Sequence, residues 1–179
     1  MTFLWEGDIL KKMEGGRAVY LEGRELQGMT GHEAGRALLR DMYHRYVGEE
    51  MPPILLTDRG KPYFLDSPWH FSISHSKGHV FCALSRKNIG IDAEELDRNV
   101  SPKLAEKILS PMEQQQYEHA EDKRLALLRF WVLKEAQAKM TGEGIRFHPI
   151  HTKFSLADPS VRELHNCLVA VIEEEDHVI

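Results

Sequence analysis

The stretch IGIDAEE, Ile89 to Glu95, read together with FWVLKEAQAK, Phe130 to Lys139, decides how this chain is organised. In the first, an apolar run carries Asp92 and Glu94 two residues apart, and an extended strand puts both carboxylates on one face. Two like charges side by side repel. They are tolerated in water, or where a cation or a proton offsets the repulsion. The second stretch reads as a helix on which Glu135 and Lys139, four apart, share a face. Where strand and helix pack, three carboxylates and one ammonium can therefore meet, a set able to hold a hard divalent cation beside a bound phosphate. Taken alone, Asp-x-Glu at a strand end is ordinary surface chemistry, and a Glu/Lys pair at this spacing is an ordinary helix stabiliser. Their combination carries the reading.

The totals bound the rest. A chain of 179 residues makes one domain or two small packed halves. Its formal charge is 23 − 28 = −5 and its pI is near 6.1, against the basic footprint that nucleic acid requires. Cys82 and Cys167 lie in apolar runs, FCAL and NCLVAVI, and read as small buried hydrophobes of a reduced protein. No run approaches the roughly 18 apolar residues of a membrane span, and the first residues lack a signal-peptide core, so the expectation is a soluble, cytoplasmic protein.

Along the chain, Trp5 to Met13 and Arg17 to Glu22 read as weak strands around Gly15-Gly16. A helix starts at Thr30, capped with Glu33 three residues on. Ala34, Leu38, Met42 and Tyr46 form its core stripe and Gly48 ends it. After Pro52-Pro53 and the run Ile54 to Leu56 comes DRGKPYF, a loop that should expose Lys61. Three strands follow: Trp69 to Ser74, Val80 to Ser85, and the Asp-x-Glu strand. His75 sits at the first turn between Ser74 and Ser76, hydrogen-bonding groups suited to a phosphate. Ser101-Pro102 and Ser110-Pro111, the latter with Glu113, open two short helices. The long helix from about Lys123 to Met140 is apolar on most of its circumference, so Glu135 and Lys139 need a partner or a cleft. Thr141-Gly142 stops it. Lys153 to Leu156 and Cys167 to Ile172 read as final strands around Asp158-Pro159, and Glu173 to Asp176 as a solvated end.

The ordered set GKP (Gly60 to Pro62), FSISHS (Phe71 to Ser76), GIDAE (Gly90 to Glu94), SPMEQ (Ser110 to Gln114) and FWVLKEAQAKMTGEGI (Phe130 to Ile145) resembles the 4′-phosphopantetheinyl transferases of the surfactin (Sfp) type, over roughly Asp58 to Phe154. The resemblance implies an α+β fold of two similar halves, a pseudo-dimer in which each half is a small antiparallel sheet packed on a long helix. The halves would be residues 1–88 and 89–179, with the active site at their interface. It implies Mg²⁺, with Mn²⁺ as a substitute, and coenzyme A as co-substrate. The phosphopantetheine arm would pass to a serine of an acyl or peptidyl carrier protein, releasing adenosine 3′,5′-bisphosphate.

By motif position Asp92, Glu94 and Glu135 resemble the metal carboxylates, and Lys139 the lysine against the pyrophosphate. Gly60, Lys61, Pro62, Ser74 and His75 resemble the groups that hold the nucleotide end, and Arg17 and Arg24 are candidates for the family's N-terminal basic residues. Glu135 is the first choice of base for the serine proton and Glu113 the second. Ala93 stands where the family carries a branched residue, with its side chain pointing away from the metal face. The reading is of a cytoplasmic monomer without nucleic-acid or membrane partners. Two rivals stand beside it: a non-catalytic coenzyme A or carrier-protein binding module, and a metal-dependent nuclease, which the acidic charge disfavours.

Overall fold

The computed structural model describes residues 3–6, 9–14, 17–144 and 151–175, with side chains from Val19 onward. The expected segment Trp5 to Met13 is two strands, β1 (Phe3–Glu6) and β2 (Ile9–Glu14), followed by β3 (Arg17–Glu25). The Gly15-Gly16 break lies outside the described residues. Helix α1 (Gly31–Val47) begins in a complete capping box: Glu33 N–H donates to Thr30 Oγ1, and Thr30 N–H donates to the Glu33 carboxylate. It ends at Gly48, whose φ of 79° is the left-handed conformation that a side chain would strain.

Strands β4 (Ile54–Leu56) and β5 (Pro62–Phe64) form a separate hairpin. Strands β6 (His70–Ser76) and β7 (His79–Ser85) join β1 to β3 in an antiparallel sheet of order β1-β2-β3-β7-β6. Strand β8 (Ile89–Glu95) starts a second antiparallel sheet, of order β8-β10-β9, with β9 (Val161–Leu164) and β10 (Cys167–Glu173). Between β8 and β9 run a 3₁₀ turn (Pro102–Leu104), α2 (Ala105–Ile108), α3 (Pro111–His119) and α4 (Lys123–Thr141).

The arrangement is α+β in four layers: α1, the first sheet, the second sheet, α4. Alternation along each central strand assigns the faces. On β7, Val80, Cys82 and Leu84 pack toward α1, against Leu38, Leu39 and Met42. Phe81 and Ala83 pack the other way, with Val19 and Leu21, against Ile89, Ile91 and Ala93 of β8 and Val169 of β10. Leu168 and Ala170 of β10 then face Val132, Leu133 and Ala136 of α4. Because both faces of β7 are covered, it is buried nearly end to end. Ala93 points into the inter-sheet core, away from the carboxylate face. The two units are unequal, five strands against three. Cys82 and Cys167 are free and buried.

Lys153 to Leu156 is not a strand. Its backbone is claimed by helix side chains: Phe154 N–H donates to Glu113 Oε1 at 2.8 Å, Leu156 N–H to Gln116 Oε1 at 2.9 Å, and Arg129 Nε to Leu156 O at 2.9 Å. The strand comes later, at Val161–Leu164, turned into β10 by His165 and Asn166, both at positive φ (49° and 58°). The expected solvated end begins inside β10: Ser85 Oγ donates to Glu173, and Glu174 N–H donates to Asn88 O at 2.9 Å. Asp176 lies outside the described residues. Among the described residues no helix is long and apolar enough to cross a membrane.

Candidate active site

The face of β8 opposite the inter-sheet core carries Gly90, Asp92 and Glu94, and α4 lies across it in the reverse direction. Gly90 sets the approach. A Cβ there would stand 2.0 Å from Ala136 O and 2.4 Å from Met140 N, so only a bare backbone lets the helix come this close. The closeness brings one turn of α4 after another over one carboxylate after another.

Asp92 is 6% exposed. Its Oδ1 accepts from Lys139 Nζ at 2.7 Å and from Ser74 Oγ at 3.1 Å. Its Oδ2 is buried with no hydrogen-bond partner among the described residues. Glu135 is half-buried, and its carboxyl lies above the ordinary range: burial is the largest cause, the Asp92 charge the second, and Lys139 and Arg98 oppose both. Glu94 pairs with Arg98 and accepts from Trp131 Nε1 at 3.3 Å. The structure thus brings Asp92, Glu94, Glu135 and Lys139 to one place.

Among the described residues no three His, Cys, Asp or Glu side chains stand in metal-ligating geometry. Lys139 and Arg98 take up much of the negative charge. The donor set nonetheless fits a hard divalent cation. One oxygen of Asp92 is buried and uncommitted, and the Asp92–Glu135 repulsion that raises the Glu135 carboxyl is what a dication would relieve.

The nucleotide-end candidates are distributed differently. Gly60, at φ 82°, turns the loop, with Gly60 N–H donating to Thr57 O at 2.8 Å, and Pro62 opens β5. Lys61 is half-buried rather than exposed: its Nζ donates to Asn88 Oδ1 and to Met140 O, tying the loop to the C-terminal end of α4 beside Lys139. Burial lowers its pKa. Ser74 is buried at 4% and sits on Asp92. His75 is exposed, its ring lying where a Cβ on Gly31 would come within 2.7 Å, at the first turn of α1. Arg24 is taken by Asp41 at 2.8 Å, and of Arg17 only the backbone is described.

Glu113 stands apart from the others. It is 0% exposed, and its Oε2 accepts from Ser110 N–H at 2.7 Å and Lys134 Nζ at 2.8 Å while its Oε1 accepts from Phe154 N–H. Such a carboxylate is a structural counter-ion, out of reach of a substrate proton. The sequence reading missed Lys134, 2% exposed, although it falls on the stripe of Leu127 and Phe130, the one sign that a buried charge needed a partner. A cleft of about 360 Å³ bounded by Tyr43, Pro52, Ser67, Trp69 and Arg86 lies at the other end of β6 from Ser74 and includes none of these groups.

A family model described as the 4′-phosphopantetheinyl transferase superfamily matches residues 88–175, the segment that carries Asp92, Glu94, Glu135 and Lys139. The chain belongs to this superfamily. It is 36% identical over 123 residues to the 4′-phosphopantetheinyl transferase HetI of Nostoc sp. strain PCC 7120, covering 63% of this chain and 52% of that protein. It is 35% identical over 140 residues to the 4′-phosphopantetheinyl transferase of Bacillus subtilis, covering 72% of this chain and 62% of that one. Psf-1 of Bacillus pumilus, another 4′-phosphopantetheinyl transferase, is 32% identical over 118 residues, with 63% and 50% covered. The chain spans between half and just under two thirds of the length of these relatives.

Proposed function

We propose that this superfamily member transfers the 4′-phosphopantetheine arm of coenzyme A to a serine of an acyl or peptidyl carrier protein, with release of adenosine 3′,5′-bisphosphate. The observation that carries the reading is the buried, uncommitted oxygen of Asp92 beside Glu135 and Lys139, in the segment that matches the superfamily. Asp92, Glu94 and Glu135 are the residues that would hold Mg²⁺, or Mn²⁺ in its place. When bound, the cation supplies Lewis-acid polarisation of the pyrophosphate.

The chain's own groups do the rest. The Lys139 ammonium, about one third exposed, attracts the pyrophosphate as a point charge and offsets the charge that collects on the leaving phosphate. Glu135, whose raised carboxyl is a better proton acceptor than an ordinary glutamate, takes the hydroxyl proton of the carrier serine. The serine oxygen then bonds to the β-phosphorus as the bond from that phosphorus to the bridging oxygen breaks, leaving that oxygen on adenosine bisphosphate. In this reading residues 1–88 and 89–179 are the two units and the site lies at their junction. The protein works as a cytoplasmic monomer.

The test is incubation with coenzyme A, Mg²⁺ and a panel of apo carrier proteins, followed by intact-mass spectrometry. A phosphopantetheine mass gain on a carrier serine is the expected result. No gain on any carrier, with coenzyme A still bound, would replace the reading with that of a binding module.

A further inference from the structure

Strand β6 ends the first sheet and β8 ends the second, so each leaves a row of backbone groups without a ladder partner. Two hydroxyls close the gap. Ile91 N–H donates to Ser72 Oγ at 3.1 Å, and Ala93 N–H donates to Ser74 Oγ at 3.2 Å. The first hydroxyl does nothing else among the bonds described. The second is a node: Ser74 Oγ also accepts from Lys139 Nζ at 3.1 Å and donates to Asp92 Oδ1 at 3.1 Å.

A serine hydroxyl has one proton to give and two lone pairs to share. Ser74 spends all three within the protein, and it is 4% exposed. To bind a nucleotide phosphate it would have to release Asp92 and hand its proton to the ligand. We propose that Ser74 is a positioning residue rather than a nucleotide contact: through its hydroxyl the first sheet holds Asp92 Oδ1 and Lys139 Nζ in place, so that Asp92 Oδ2 stays directed at the site. The inference rests on the reading of the site as a coenzyme A and cation site, and it reverses the role that the motif resemblance implies for this serine.

The consequences separate cleanly. Loss of the Ser74 hydroxyl frees both Asp92 and Lys139, so it weakens the cation site by about the 10- to 100-fold typical of groups that orient metal ligands. It leaves untouched whatever recognises the 3′-phosphate of coenzyme A. Ser72→Ala is the control, since it removes a seam bond of the same kind without touching either Asp92 or Lys139.

The experiment compares wild type, Ser74→Ala and Ser72→Ala by three measurements. The first is the NMR signal of the Lys139 side-chain ammonium in the ligand-free protein. The second is Mn²⁺ affinity. The third is the ratio of affinities for coenzyme A and 3′-dephospho-coenzyme A by calorimetry. The expected result is an ammonium signal shifted or lost in Ser74→Ala alone, Mn²⁺ binding weakened 10- to 100-fold in Ser74→Ala alone, and a wild-type affinity ratio in all three proteins. An unchanged Lys139 signal, or a collapse of the ratio toward one in Ser74→Ala, overturns the proposal. Should wild type bind neither nucleotide, the functional reading fails, and the Lys139 signal still decides whether Ser74 holds the node. If Ser74→Ala does not fold, Ser74→Cys, which keeps a weak donor and acceptor, is read in the same three ways.

Discussion

Lys139 meets Asp92 at 2.7 Å yet keeps about a third of its side chain in solvent, so its ammonium is anchored on one side and open to an anion on the other. Lys139→Ala is expected to leave the fold in place and to weaken coenzyme A binding roughly tenfold to a hundredfold, the worth of one hydrogen bond to a charged group. Calorimetry with an unchanged dissociation constant would remove Lys139 from the nucleotide site. The parity of Asp92 and Glu94 and the four-residue step from Glu135 to Lys139 are properties of a single strand and a single helix, and they could be read in the sequence. The saturated hydroxyl of Ser74 could not, because two of its three partners come from β8 and the third from α4. The same holds for Lys61. Its loop residues suggested exposure, but the carbonyl it reaches, that of Met140, is supplied by a helix that begins more than sixty positions later.

Among the elements, α1 offers a pH test. The backbone N–H of Thr30 is the largest cause holding the Glu33 carboxyl below its usual range, and the Thr30 hydroxyl is the next. A depressed carboxyl stabilises the fold above its unfolded-state pKa and loses that contribution as pH falls through its folded-state value. Wild type is therefore expected to gain melting temperature over Glu33→Gln as pH rises from about 3 to 6, and the two proteins to converge in acid; parallel curves across that range would refute the assignment.

Helices α3 and α4 are joined by the Lys134–Glu113 pair, buried on both sides. Lys134→Met strands the Glu113 carboxylate and is expected to cost about 3–5 kcal/mol in urea denaturation. At β8, Gly90→Ala drives a methyl into the backbone of α4 and should cost at least about 1–3 kcal/mol, with cation affinity falling alongside stability because Glu135 and Lys139 ride on the displaced helix. The capping boxes at Thr30 and Ser110 and the stop at Gly142 were legible because each is complete within four residues. Lys153 to Leu156 was not, because its backbone donors go to Glu113 and Gln116 of another helix, and local pattern carries no record of that.

For the molecule as a whole, the layer between the two sheets decides cooperativity. Val19, Leu21, Phe81 and Ala83 of one sheet share a core with Ile89, Ile91, Ala93 and Val169 of the other, so neither unit keeps its inner face covered alone. Unfolding is expected as one transition, with far-UV circular dichroism and tryptophan fluorescence superimposed on the same urea curve. Two separated midpoints would show that the sheets are independently stable. The acidic charge and the apolar periodicities bounded the architecture from sequence, while the pairing of β3 with β7, across an intervening helix and hairpin, required the three-dimensional arrangement.

The antiparallel crossing of α4 over β8 has one more consequence. Four residues of helix rise about 6 Å, and two residues of strand advance about 6.6 Å. Trp131, Glu135 and the Lys139–Met140 step therefore keep pace with Glu94, Asp92 and Gly90 like the teeth of two matched combs. Such a mesh tolerates exchange of side chains far better than a change in tooth spacing. One extra residue between Trp131 and Lys139 would swing the later groups round the helix axis by about 100°, and lengthening of the chain is thus confined to segments outside this crossing.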